Sequence, residues 1–600
     1  MRRALGSGLF LLTACGGGIK SPDIIPAPST IPVAVTVDSI AASPAAPPTS
    51  GATRTALIAA EWPLAERVRP VRGDHAMVVT SHPLASDVGV EILRRGGNAV
   101  DAAVAVAFAL AVVHPVAGNI GGGGFMVVRM HDDTARTLDF REAAPSGATR
   151  GMYVDSAGNV LESSLTGHRS VGVPGTVAGL FEAHRRFGHL PWNDLVAPAV
   201  RLARDGYALD GVRSRQITRE AERLARFPAS RAQFLANGEA PSAGTVFVQP
   251  DLARTLQLIA DSGPPVFYSG SVAELIVQEM ARGGGLITRG DLARYRAKWR
   301  DPIAIAYRGY TIYTMPPPSG GGVTLAEILN VMEGYAPLPP FGSAQLMHLQ
   351  TEAMRRAYVD RNALLGDPDF VEIPLSRLLS KAYAATLRAD IDPRRATPSP
   401  PARGGRSGTE TTHYSIVDAD GNAVSCTTTL NNDFGSAVTV AGAGFLLNDE
   451  MDDFTTAPGR PNLFGLVQGE ANAIAPGKRM LSAMTPAIVL DPTGGLLLVL
   501  GSPGGSRIPT AVYQVISDVI DQEMPLPSAI AAPRLHHQAV PDTLHLEPDG
   551  FVPASIDSLA AMGHTIGLWN YKTEVNAIGR TAAGWVGVAD PRRGGGAAGY

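Results

Sequence analysis

The chain has 600 residues, 45% hydrophobic and 18% charged, with a formal net charge of −4. That balance describes a globular protein with a large buried core, and it offers no electrostatic reason to expect a nucleic-acid partner. Its two cysteines, Cys15 and Cys426, exclude a disulfide framework.

The first segment, Met1-Arg-Arg-Ala-Leu-Gly-Ser-Gly-Leu-Phe-Leu-Leu-Thr-Ala-Cys15, has a short basic start and an apolar core too short to span a bilayer. It closes on Leu12-Thr-Ala-Cys15 and resembles a bacterial lipoprotein signal. Residues 1–14 are therefore read as the signal and Cys15 as the lipidated residue, the alternative being a secretory signal cut elsewhere. Residues 15–72 are rich in Pro, Ala, Ser and Thr and are read as an extended tether. The folded part is expected to begin near Ala76-Met-Val-Val-Thr80, a strand. Ser86 to Val113 reads as helical with a break at Gly96-Gly97. Ala102 to Val113 is apolar on every face but shorter than the ~20 residues of a membrane span, which predicts a core helix. Residues 160–390 alternate helices with loops, among them Val177 to Phe187 and Asn193 to Asp205. Residues 394–408 are rich in Pro, Gly and Arg and are expected to be mobile and exposed.

Thr411 to Asp418 reads as a strand, Asp420-Gly421-Asn422 as a turn, and Ala423 to Leu430 as the returning strand. This hairpin brings Thr429 and Asn431 back towards Thr411. An alcohol is a weak nucleophile that needs a base, and a chain cut before Thr411 supplies one as a free α-amine. A second hairpin is expected over Ala487 to Leu500, around Asp491-Pro-Thr-Gly494. Taken alone, the pattern specifies mixed α and β structure with many hairpins.

The run from Thr411 to Asn431 resembles the start of the small subunit of the γ-glutamyltransferase (γ-glutamyltranspeptidase) family of N-terminal-nucleophile hydrolases. The likeness continues through Leu447-Asn-Asp-Glu-Met-Asp-Asp-Phe454, Pro476-Gly-Lys-Arg479, Gly501-Ser-Pro-Gly-Gly-Ser-Arg507, Arg534-Leu-His-His-Gln538 and Ala589-Asp-Pro-Arg-Arg-Gly-Gly595. Upstream it takes in Gly96-Gly-Asn-Ala-Val-Asp101, Gly118-Asn-Ile-Gly-Gly-Gly-Gly-Phe125, Asp139-Phe-Arg-Glu142 and Val173-Pro-Gly175. The resemblance implies an α+β fold, a four-layer αββα sandwich built from two autocleaved pieces, a large subunit 73–410 and a small subunit 411–600. It implies cleavage between Glu410 and Thr411, with Thr411 then acting as nucleophile and Thr429 holding its rotamer. Gly504 and Gly505 would present N–H groups to the oxyanion.

A γ-glutamyl donor ends in an ammonium and a carboxylate on one carbon. By resemblance, Asp453, Glu450 and Asn431 match the ammonium side, and Arg141 with Ser482 the carboxylate side. Three positions depart from common family patterns. Ala483 replaces a second serine, Glu450 stands where some members have glutamine, and Phe464 stands where some have a lid-loop tyrosine. The implied activity is transfer of γ-glutamyl groups, glutathione being the leading donor, to amino acids, peptides or water, with no cofactor and no metal. The implied setting is the periplasm, lipid-anchored to a bacterial membrane, the outer one foremost, or secreted. The alternatives are a glutaryl-type (cephalosporin) acylase, or an inactive lipoprotein that binds γ-glutamyl compounds. Asp453 opposes the acylase, because a carboxylate facing a methylene is poorly compensated. His413, His536 and His537 lack metal-ligand spacing and are read as structural, and Cys426 as a small core residue.

Overall fold

The computed structural model describes residues 56–399, 411–457, 459–570 and 573–600. Two seven-stranded antiparallel sheets carry the fold. In spatial order the first comprises Gly596–Gly599, Met77–Thr80, Thr412–Val417, Ala423–Thr429, Gly123–Arg129, Ala135–Asp139 and Lys298–Arg300. The second comprises Val71–Gly73, Gly584–Val588, Asn576–Thr581, Leu496–Gly501, Ala487–Leu490, Tyr310–Thr314 and Ile303–Tyr307.

Strand alternation sorts each sheet's side chains into two layers. In the first sheet Val78, Val128, Ile416 and Val424 face a helical layer that includes Pro83–Arg94, Ala99–Val113 and Thr176–Phe187. Their neighbours Val79, Val127, Val417 and Ala423 face the second sheet and meet Ile488, Val499, Ile578 and Trp585 there. The second sheet turns Ile305, Ile312, Val489 and Leu498 towards helices Gly321–Glu333, Ala344–Leu364 and Ile508–Ile520. The result is the expected helix–sheet–sheet–helix sandwich.

Ala99–Val113 is buried along its whole length, and Asn98 and Asp101 close its N-terminus as a capping box. The break read at Gly96-Gly97 separates it from Pro83–Arg94. Both hairpins form where turn chemistry placed them. The hairpin 412–429 lies at the centre of its sheet, between Met77–Thr80 and Gly123–Arg129. Gly122 permits the close approach beside it, since a Cβ there would lie 2.2 Å from the Thr429 carbonyl oxygen.

The tether read over residues 15–72 is corrected at its C-terminal end. Residues 56–72 pack on the body, with Trp62, Leu64 and Val68 buried and Trp62 Nε1 donating to the Ala531 carbonyl at 2.7 Å. Val71–Gly73 then joins the second sheet beside Gly584–Val588. The segment that anchors, Ala56-Leu-Ile-Ala-Ala-Glu-Trp-Pro-Leu-Ala65 with Val68, is largely apolar, and Ala56 and Ile58 also pack against the core. Cys15, the signal and most of the tether lie outside the described residues, as do Pro400–Glu410.

Candidate active site

The register pairs Thr412 with Thr428, so Thr411 stands opposite Thr429 at the mouth of the hairpin. Thr411 Oγ1 donates towards Thr429 Oγ1 across 3.5 Å. Thr429 Oγ1 also accepts the Asn431 backbone N–H at 2.8 Å. Asn431 adopts a left-handed φ of 81°, and its Nδ2 donates to the Asp449 carbonyl at 3.0 Å. The hydroxyl pair is thus held by the end of the return strand.

A small cavity opens beside Thr411. Arg141, Asn431, Glu450, Asp453, Ser482 and Gly505 line it together with both threonines. Arg141 follows the strand Ala135–Asp139, while Glu450 and Asp453 share a single 3₁₀ turn. Gly504 precedes Gly505 in the chain and is not among the lining residues. Glu410 and Cys15 fall outside the described residues.

The two sides of the expected zwitterion site hold one another. Arg141 donates through one terminal nitrogen to Glu450 and through the other to Asp453, with Nε on the Met480 carbonyl at 3.3 Å. Glu142 Oε2 lies 3.6 Å from the same guanidinium. Burial opposes the charge of Arg141, but Glu450, Asp453 and Glu142 together hold its pKa above the ordinary arginine value. Burial raises all three carboxyls and Arg141 pulls each back; Glu142 comes to about 7. Burial thus works against charge on Glu142, Glu450 and Asp453, and the Arg141 guanidinium is what favours it.

The segment 461–466 roofs the cavity. Gly505 has φ 58°, and a Cβ there would lie 2.3 Å from the Phe464 ring. Leu463 N–H donates to Asp452 Oδ2 at 2.8 Å. Gln538 joins roof to floor: its Nε2 donates to the Phe464 carbonyl at 3.1 Å, and its Oε1 accepts from Ser506 Oγ at 2.6 Å. Ser482 Oγ accepts the Met484 N–H at 3.1 Å, and Ala483 beside it adds no hydroxyl to the wall.

Arg361, Gln538 and Asp452 were not singled out from the sequence. Arg361 sits in the last turn of the long helix Ala344–Leu364, where an arginine is an ordinary residue. Its place in the cavity wall follows from that helix packing behind the site.

The histidines all have partners of their own. His413 bridges Thr427 and Ser415 at 2.9 and 3.0 Å, and burial pushes it down to about 3. His536 meets Thr510 and Gln538, and His537 meets Asp542. Among the described residues, His348, Glu352 and His564 bring metal-ligand types together. Their atoms are already engaged: the two rings meet at 2.8 Å, and Arg355 and Arg356 bind the carboxylate. That ring spacing is a hydrogen bond between imidazoles.

The sequence profile of the Gamma-glutamyltranspeptidase family matches residues 85–600. The chain is 45% identical over 562 residues to a glutathione hydrolase proenzyme of Escherichia coli (strain K12), covering 92% of this chain and 95% of that one. It is 49% identical to the glutathione hydrolase proenzyme of Pseudomonas sp. (strain A14), covering 82% and 87%. Among solved structures, the cephalosporin acylase from Bacillus halodurans is similar, with a TM-score of 0.79 and 29% identity, covering 89% of this chain and 97% of that one.

Proposed function

The chain belongs to the gamma-glutamyltranspeptidase family, and from that premise we infer which residues perform its chemistry. It is an enzyme of the glutathione hydrolase and γ-glutamyltransferase type. One observation carries the assignment of roles. The Thr411–Thr429 hydroxyl pair shares a single cavity with an arginine bound to two carboxylates. A nucleophile beside groups matched to both charges of an amino acid suits a γ-glutamyl donor.

In the first step Thr411 Oγ1 attacks the Glu410 carbonyl, the acyl group moves from nitrogen to oxygen, and water hydrolyses the resulting ester. The products are an α-carboxylate on Glu410 and a free amine on Thr411. In turnover that amine takes the Thr411 hydroxyl proton as Oγ1 attacks the γ-amide carbon. The proton passes to the departing amine, leaving a γ-glutamyl ester on Thr411. Water or the amine of an amino acid or dipeptide then releases the acyl group. Gly505, with Gly504, presents N–H groups to the oxyanion in both acyl transfers. Arg141 and Ser482 receive the donor carboxylate, and Asp453, Glu450 and Asn431 the ammonium.

The relatives named as proenzymes support maturation into two pieces, 73–410 and 411–600. The Leu12-Thr-Ala-Cys15 sequence supports export and lipid anchoring of Cys15, facing the periplasm.

The test is denaturing electrophoresis with intact mass on wild type and Thr411→Ala, followed by p-nitroaniline release from γ-glutamyl-p-nitroanilide and glutaryl-p-nitroanilide. The expected result is a fragment 411–600 from wild type alone, with turnover of the γ-glutamyl compound. Preferential turnover of the glutaryl compound would make the chain an acylase. Folded wild type that stays uncut and inactive would make it a binding protein.

A further inference from the structure

We propose that Arg361 is a second guanidinium for the donor α-carboxylate, and that it serves where Ala483 leaves a hydroxyl missing. This rests on the γ-glutamyl reading of the site and names a residue that reading does not use.

Arg361 is fully buried and lines the same cavity as Thr411, Ser482 and Ala483. Its three acceptors are all neutral: Asn362 Oδ1 at 3.0 Å and Gln468 Oε1 at 3.4 Å on one terminal nitrogen, and the Ser482 carbonyl at 3.5 Å on the other. Nε has no partner. Among the described residues it forms no ion pair, whereas Arg141 holds Glu450 and Asp453. A buried cation bonded this loosely is costly unless an anion joins it. The desolvation that pulls Arg361 below its ordinary pKa is that cost expressed as proton affinity.

The two arginines differ in the hydrogen-bonding capacity they have left. Arg141 is committed on both terminal nitrogens to the carboxylates that receive the ammonium. Arg361 has donor capacity left and stands next to Ser482, on the carboxylate side. A planar guanidinium presents parallel N–H groups to a carboxylate, so it replaces a lost serine with a stronger, charge-assisted contact. Arg361 thereby becomes a specificity-determining residue that favours donors carrying a carboxylate on the carbon bearing the amine.

The experiment compares γ-glutamyl-p-nitroanilide with 4-aminobutyryl-p-nitroanilide, which keeps the amine and lacks the carboxylate. Wild type, Arg361→Met and Arg361→Lys are assayed after self-cleavage is confirmed by mass. In Arg361→Met, KM for the γ-glutamyl compound is expected to rise roughly 10- to 150-fold, the span for losing a hydrogen bond to a charged group. The 4-aminobutyryl compound is expected to change little, so discrimination between the two collapses. Arg361→Lys keeps the charge without the fork and falls between; it carries the test alone if the methionine variant fails to mature. Unchanged discrimination, or equal loss on both substrates, overturns the proposal. Wild type that turns over neither compound overturns instead the γ-glutamyl reading beneath it.

Discussion

Arg141 and Asp453, 312 residues apart in the chain, are joined by a buried charge-assisted hydrogen bond in the wall of the cavity that holds Thr411. In the proposed function each is the complement of one charged group on a γ-glutamyl donor. On that reading each group is the other's counter-charge, and an entering zwitterion would trade one pairing for another. That exchange avoids leaving either ion bare at any stage, which is where most of the penalty for buried charge arises.

Removing one member exposes the logic. Asp453→Ala is expected to lower kcat/KM for γ-glutamyl-p-nitroanilide by at least about 100-fold, in line with breaking a buried charge contact. Glu450 remains on Arg141, so folding and self-cleavage should survive. Cleavage by electrophoresis together with donor kinetics checks both halves, and unchanged kinetics would remove Asp453 from ammonium recognition.

Thr429 links the Thr411 hydroxyl, the proposed nucleophile, to the Asn431 backbone through contacts at 3.5 and 2.8 Å. Thr429→Val keeps the shape and removes both. Its kcat is expected to fall by roughly 10- to 100-fold with KM nearly constant, because a rotamer restraint acts on attack more than on binding. Thr429→Ser should recover most of the loss in the same assay.

Gly505 combines a left-handed backbone with a Phe464 ring against its α-carbon. Gly505→Ala is strained in both respects, and turnover should be largely lost. Adding Phe464→Ala removes the collision but leaves the backbone strain, so recovery is expected to be partial. Full recovery in the double variant would show that the ring alone constrains this glycine.

Ala483→Ser would return a hydroxyl to the cavity wall beside Ser482. A neutral hydrogen bond predicts a fall in KM for the γ-glutamyl compound of about two- to tenfold, with kcat little changed. An unaltered KM would mean that position 483 does not reach the donor.

Asp452 ties the roof segment to the body through Leu463 and Ser164, and burial raises its pKa to about 7. An unfolded aspartate titrates near 3.9. The unfolded chain therefore ionises first as pH rises, and stability fully present below that value is lost progressively up to about pH 7. Asp452→Asn should gain thermal stability relative to wild type over that window, by a few degrees at most. Melting temperatures of both proteins between pH 4 and 8 check the sign; a constant difference across the range would exclude titration of Asp452.

The local features were legible for local reasons. Asp420-Gly421-Asn422 and Asp491-Pro-Thr-Gly494 sit at the tips of hairpins formed as read, because turn residues act through their own φ and ψ. Ala102 to Val113 was read as a core helix, being apolar all round and short for a bilayer, and it is buried along its length. The anchoring of residues 56–72 was not read from the sequence, since its partners lie far along the chain, as Ala531 does for Trp62. Arg361 was missed for the same reason.

The sequence by itself determined the two hairpins, the core helix, the place of Thr411 at the head of a hairpin and its pairing with Thr429, but not the sheet strands Lys298–Arg300, Ile303–Tyr307 and Tyr310–Thr314, which lie in a stretch read as helices and loops. Propensity, turn chemistry and strand register all operate within a few residues, so they are written in the chain. Only the tertiary structure decided that Arg141, Arg361, Glu450 and Asp453 meet around one cavity, that Arg141 is taken by two carboxylates while Arg361 is not, and that Gln538 joins the roof to the floor. Those relations depend on how two sheets and their helices stack, and stacking is set by burial summed over the whole core.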